Sequence, residues 1–107
     1  MYIVCTLTRM ADIQFAWNPT KAAANKRKHH VSFSEAQTVF YDEEALLLDD
    51  PDHSSNEDRF VLLGLSATLR VLLVVHSYRG DDETIRIISA RKANTTERSM
   101  YEKRRKR

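Results

Sequence analysis

The five residues Val71-Leu72-Leu73-Val74-Val75 are apolar at every position. A strand with one wet face alternates apolar and polar side chains, so a run with no polar face must be covered on both sides. A membrane-spanning helix would need about 20 such residues. The run therefore predicts a central strand in a sheet that carries packing layers on both faces. With 107 residues the chain has room for one such domain.

Shorter signals surround this strand. Ile13–Trp17 alternates and reads as a strand. Asn18-Pro19 reads as a helix N-cap followed by a proline at the first helical position, where its missing N–H costs nothing. Lys21–Lys28 continues that helix. Ser32-Phe33-Ser34-Glu35 has the spacing of a capping box, with Val31 and Ala36 placed as a hydrophobic staple. It predicts a second helix to about Tyr41, with Phe33, Ala36, Val39 and Phe40 on one face. Strands are then expected at Ala45–Asp49, Arg59–Leu65, Val71–Tyr78 and Thr84–Ala90, and a basic helix after the cap Asn94-Thr95-Thr96-Glu97. The predicted class is α+β, with helices packed on an antiparallel sheet in the order β-α-α-β-β-β-β-α. Residues 1–12 read as an N-terminal extension, either a loose arm or an extra edge strand, before one domain at 13–102 and a basic tail at 103–107. The first nine residues lack the basic start and cleavage pattern of a signal peptide, so the expected compartment is the cytoplasm.

Composition excludes several chemistries. A single cysteine, Cys5, rules out a disulfide scaffold, and two glycines rule out a phosphate-cradling or dinucleotide loop. Adjacent His29 and His30 cannot converge on one ion, and the acids around His53 lack calcium-loop spacing, so neither metal nor cofactor is expected. The formal net charge of +2 conceals segregation. Asp42–Asp58 holds eight acids and no Lys or Arg, whereas Arg91–Arg107 holds eight bases and two acids. Basic clusters attract polyanions, of which nucleic acid is the commonest, although a charge run alone also fits a solvated terminus.

General acid–base groups and cations remain. His53 lies four residues before Glu57 and six before Arg59. An imidazole titrates near neutral pH and can donate or accept a proton. Arginine forks match phosphate oxygens, and Arg79, Arg86 and Arg91 fall in or at the ends of predicted strands. On an ideal strand Arg86 and Arg91 point to opposite faces, so a bulge or the strand end would have to re-aim Arg91. The competing roles are a locally paired polar loop for His53 and Glu57, and structural ion pairs for the arginines.

An ordered set of motifs then resembles a known family. Phe15-Ala16-Trp17-Asn18-Pro19, Asn25 through Ala36 with Lys28-His29 and Val31-Ser32-Phe33, His53 through Arg59, Gly64-Leu65-Ser66, Arg70–Val75, and Arg86-Ile87-Ile88-Ser89-Ala90-Arg91 are similar to the BrnT family, the toxins of bacterial type II toxin–antitoxin pairs. The likeness covers roughly Ile13 to Tyr101. It implies a RelE-like fold, a metal-independent ribonuclease that arrests translation, and a BrnA-like antitoxin partner. The antitoxin would carry the contact with operator DNA, within a hetero-oligomer. Two departures stand out: His30 and Leu69 occupy positions where the family tends to have glycine. A glycine at the first would suit a left-handed helix cap.

Under this reading His53 and Glu57 move or orient protons, while Arg79 and Arg91 stabilise phosphate charge. Lys28, His29, Arg59 and Arg86 position the RNA backbone. The alternative is a non-catalytic nucleic-acid- or protein-binding module, in which Arg79 and Arg91 are structural ion pairs.

Overall fold

In a computed structural model, which describes residues 3–6, 13–49, 59–79 and 84–105, the chain forms six strands and three helices. The strands are β1 (Ile3–Thr6), β2 (Gln14–Trp17), β3 (Leu46–Asp49), β4 (Phe60–Leu65), β5 (Val71–Arg79) and β6 (Thr84–Lys92). The helices are α1 (Pro19–His29), α2 (Phe33–Thr38), which continues as a 3-10 turn at Val39–Tyr41, and α3 (Thr95–Arg105). The sheet order is β1-β2-β6-β5-β4-β3.

The antiparallel sheet and the element order expected from sequence need correction. The meander β3 to β6 is antiparallel throughout, but β2 runs parallel to β6, with Phe15 opposite Ile85, so the sheet is mixed. Hairpin spacings fix the relative directions of β3 to β6. They say nothing about which edge β2 joins, because α1 and α2 carry the chain across the sheet between β2 and β3. The order also gains β1, an edge strand antiparallel to β2. The basic helix takes in Lys103, Arg104 and Arg105, three of the five residues expected as tail.

Both faces of Val71–Val75 are covered. Leu72 and Val74 join Phe15, Val31, Phe33, Val39, Ile85 and Ile87 under α1 and α2. Leu73 points the other way, into a smaller core with Val61, Leu63 and Tyr101 under α3. Tyr101 is the one buried residue of α3. Its hydroxyl donates to Asp42, whose Oδ2 also accepts from the Leu65 N–H at 2.8 Å. That approach requires a glycine at 64: a Cβ there would sit 2.9 Å from the Ala45 Cβ and 3.0 Å from Val39 Cγ1.

Three polar devices lock the first layer. Asn25, buried on α1, donates to the carbonyls of Val31 (2.9 Å) and Ala90 (2.8 Å) and accepts from the Ala90 N–H (3.2 Å). The ladder between β2 and β6 ends at Ala16 and Arg86, so Asn25 satisfies β6 backbone groups that a longer β2 would have taken. The Ser32 cap forms as expected, with the Glu35 N–H donating to its hydroxyl at 3.0 Å. The Glu35 carboxylate does not turn back to Ser32. It accepts from Ser66 (2.7 Å), Thr68 and Arg70, and Arg70 also donates to the His30 carbonyl at 3.1 Å. This network ties α2 and the end of α1 to the β4–β5 turn. Arg70 above all, with the two hydroxyls and against the effect of burial, draws the Glu35 pKa from 4.5 to about 2.

The third device is His76, with 0% exposure. Its ring packs edge-on against Phe40 at 4.9 Å and lies beside Phe60 and Tyr78. Burial lowers its pKa from 6.5 to about 4, so the imidazole is neutral.

His30 and Leu69 both take the left-handed conformation, with φ of 61° and 66°. His30 is the C-cap of α1, as a glycine-type position predicts. The β4–β5 turn likewise keeps a glycine-type backbone despite Leu69, whose side chain is 76% exposed.

Three measurements follow from these contacts. His30→Gly and Leu69→Gly should each raise stability by about 1 kcal/mol in denaturant titrations, by relieving a Cβ held in the left-handed region. Asn25→Ala should lower it by about 2–4 kcal/mol, since buried groups of Ala90 and Val31 lose their partner. Stability should also fall with acid in two stages. The contribution of neutral His76 is complete above pH 6.5 and is lost down to about 4, and that of ionised Glu35 is complete above 4.5 and is lost towards 2. His76→Phe should flatten the first arm and Glu35→Gln the second.

Candidate nucleic-acid interface

The site begins with a register shift. β5 and β6 pair residue for residue from Arg79↔Thr84 to His76↔Ile87, but the next pair is Val75↔Ser89, so Ile88 is an extra residue in β6. Such a bulge reverses the phase of the strand beyond it. Ile85, Ile87 and Ala90 therefore all face the α1–α2 core. Arg86, Ser89 and Arg91 share the opposite face; Ser89 and Arg91 stand across from Val75 and Leu73 and lie beside Glu97 and Met100 of α3. The ideal alternation that separates Arg86 from Arg91 does not hold in this strand.

A groove of about 430 Å³ lies between this face and α3. Val61, Leu73, Val75 and Ile88 line it with apolar surface, and Arg59, Arg91, Glu97 and Met100 also border it. The Arg91 side chain is 40% exposed, and its guanidinium meets Glu97 end-on, with Nη1 donating to Oε1 and Nη2 to Oε2, both at 2.9 Å. Glu97 is held in turn by its own cap, accepting from the Asn94 N–H at 2.9 Å. The Arg91 hydrogen bond, outweighing burial, lowers the Glu97 pKa below its ordinary value. An arginine bound end-on still presents its Nε edge, the side-on geometry that matches a phosphate.

The other sequence-derived residues are distributed as follows. Arg59 immediately precedes β4, and Arg79 ends β5 opposite Thr84, so both lie at the same end of the sheet. His53 and Glu57 lie outside the described residues. Lys28 and His29 occupy the last turn of α1, at the opposite end, where the next residue, His30, is bonded to Arg70. A second groove, of about 590 Å³, lies at this opposite end and is bordered by Arg70, Lys92, Arg98 and Arg105, with one acid, Glu102. Thus Arg59, Arg86 and Arg91 share one face, whereas Lys28 and His29 lie on α1, at the other end of the sheet. Sequence reasoning took Glu97 only as a cap and did not pair it with Arg91. It also passed over His76, whose only signal was a polar residue within a strand of apolar ones.

Among the described residues no group of His, Cys, Asp and Glu could hold a metal ion, and no helix is long and apolar enough to cross a membrane.

The family model of the ribonuclease toxin BrnT, of type II toxin–antitoxin systems, matches residues 17–97. A search of curated proteins gave no match. Among solved structures, the ribonuclease toxin BrnT of Brucella abortus, determined at 1.1 Å, superposes with a TM-score of 0.55 at 22% identity. The superposition covers 74% of this chain and 94% of that one, and it shows a shared fold. With most of its length matched by the family model, this chain belongs to the BrnT family of ribonuclease toxins of type II toxin–antitoxin systems.

Proposed function

We propose that the chain is a metal-independent endoribonuclease with a RelE-like fold, acting in the bacterial cytoplasm to arrest translation. The observation that carries this reading is the bulge at Ile88, which turns Arg86 and Arg91 to one face of the sheet, with Arg91 in the same groove as Arg59. RNA carries its own nucleophile in the 2′-hydroxyl. A base takes the hydroxyl proton, the oxygen attacks the adjacent phosphorus, and an acid protonates the departing 5′-oxygen, leaving a 2′,3′-cyclic phosphate. Arg91 and Arg79 are assigned to the charge that builds on the phosphoryl oxygens. His53 and Glu57 are assigned to proton transfer or its orientation. Arg59, Arg86, Lys28 and His29 position the strand through its phosphates, so affinity is salt-dependent. A type II toxin implies an antitoxin partner; we assign a BrnA-like protein that neutralises the nuclease in a hetero-oligomer and alone contacts operator DNA.

One observation favours a second reading. The bidentate Arg91–Glu97 pair is what a structural ion pair looks like, as a non-catalytic binding module would require.

The purified chain incubated with RNA in excess EDTA separates the two. The expected result is cleavage with cyclic-phosphate ends, reduced about 10²–10⁴-fold by His53→Ala or Arg91→Ala. RNA left intact from pH 5 to 9, or variants that cleave as fast as the parent, would support the binding module.

A further inference from the structure

β3 ends the sheet and is paired on one side only, to β4. Among the described residues no strand runs along its outer edge. Such an edge offers a row of backbone donors and acceptors to any extended chain, and proteins usually guard it with proline, lysine or a bulge. Leu46-Leu47-Leu48-Asp49 contains no proline or lysine, and its register with β4 is unbroken from Leu46↔Leu63 to Asp49↔Phe60.

The side chains beside this edge are apolar on both faces. Leu47, opposite Leu62, lies on the α1–α2 side and is 55% exposed. Leu46 and Leu48 lie on the α3 side, each bordering a groove that also includes the exposed Met100. An open hydrogen-bonding row with apolar sockets for alternate side chains is the geometry of strand addition.

Charge decides the occupant. Asp42-Glu43-Glu44 precedes β3, and Asp49, its last residue, is followed in the sequence by Asp50-Pro51-Asp52. If a second copy paired through β3, either strand direction would bring these acids together, and like charges across a ladder are destabilising. A nucleic acid is repelled for the same reason. We propose that the β3 edge receives an extended segment of the antitoxin as a seventh strand, with apolar residues at alternate positions and Lys or Arg at its ends. This rests on the toxin–antitoxin reading above, but not on the assignment of catalytic residues. The antitoxin segment then docks at an edge distinct from the arginines, and the groove beside Leu48 reaches both.

The test is hydrogen exchange at the amides of residues 46–49, in the free chain and in the complex formed by co-expression with the reading frame adjacent to its gene. The outward-facing β3 amides should exchange at least tenfold more slowly in the complex. Leu47→Lys should weaken the complex at least tenfold while leaving cleavage by the free chain unchanged, with circular dichroism confirming its fold. Unchanged exchange over 46–49 in a tight complex overturns the proposal and leaves the toxin–antitoxin reading intact. Protection already present in the free monomer overturns it too, and so does a free dimer that Leu47→Lys dissociates, which would make the occupant a second copy. Absence of any complex removes both the proposal and the pairing with an antitoxin, whereas cleavage by the same preparation shows whether the nuclease survives on its own.

Discussion

One inserted residue organises the cationic face. β6 must supply Ile85, Ile87 and Ala90 to a core closed by two helices, and also Arg86 and Arg91 to the opposite surface. Strict two-residue alternation cannot satisfy both demands over this length. Ile88 resolves the conflict by adding a residue to one strand and none to its partner. The bulge leaves β5 free to remain regular, so Val71–Val75 can split its side chains cleanly between the two cores.

The remaining architecture supports that strand from both sides. Asn25 satisfies its backbone where β2 stops short, and α1 is thereby fixed to β6 rather than merely packed on it. The Glu35 network extends the same logic to the β4–β5 turn, because one carboxylate there joins two helices and a hairpin. These polar groups are nearly all satisfied by named partners, which is what allows a small two-layer core to contain them.

Much of this was legible in the sequence, for local reasons. The Asn18 and Ser32 caps, the strand runs and the Asn94 cap each depend on residues within four positions of one another, and each formed where its pattern lay. The parallel pairing of β2 with β6 was not legible, because it is decided by the path of two helices over a sheet. Nor was the bulge: Ile87-Ile88 reads as ordinary strand, and only the opposite residue shows that one of them is surplus. The site was legible as a list of residue types more than as a constellation. Arg59, Arg86 and Arg91 share a face, but Lys28 and His29 lie at the far end, and the Arg91–Glu97 pair joins residues whose separate roles gave no hint of each other.

The attachment of α3 has a mechanical consequence. One buried ring, the Arg91–Glu97 pair and a bond from Arg104 to the Glu44 carbonyl fasten the helix to the sheet. Most of its other side chains are exposed, yet the helix covers Val61, Leu63 and Leu73, so lifting it would uncover the smaller core while leaving the hydrogen bonds of the ladder intact. The wall that carries Met100 and Glu97 is thus held by a few discrete contacts above an apolar floor. The groove's width is therefore set by how this one helix is seated on the sheet.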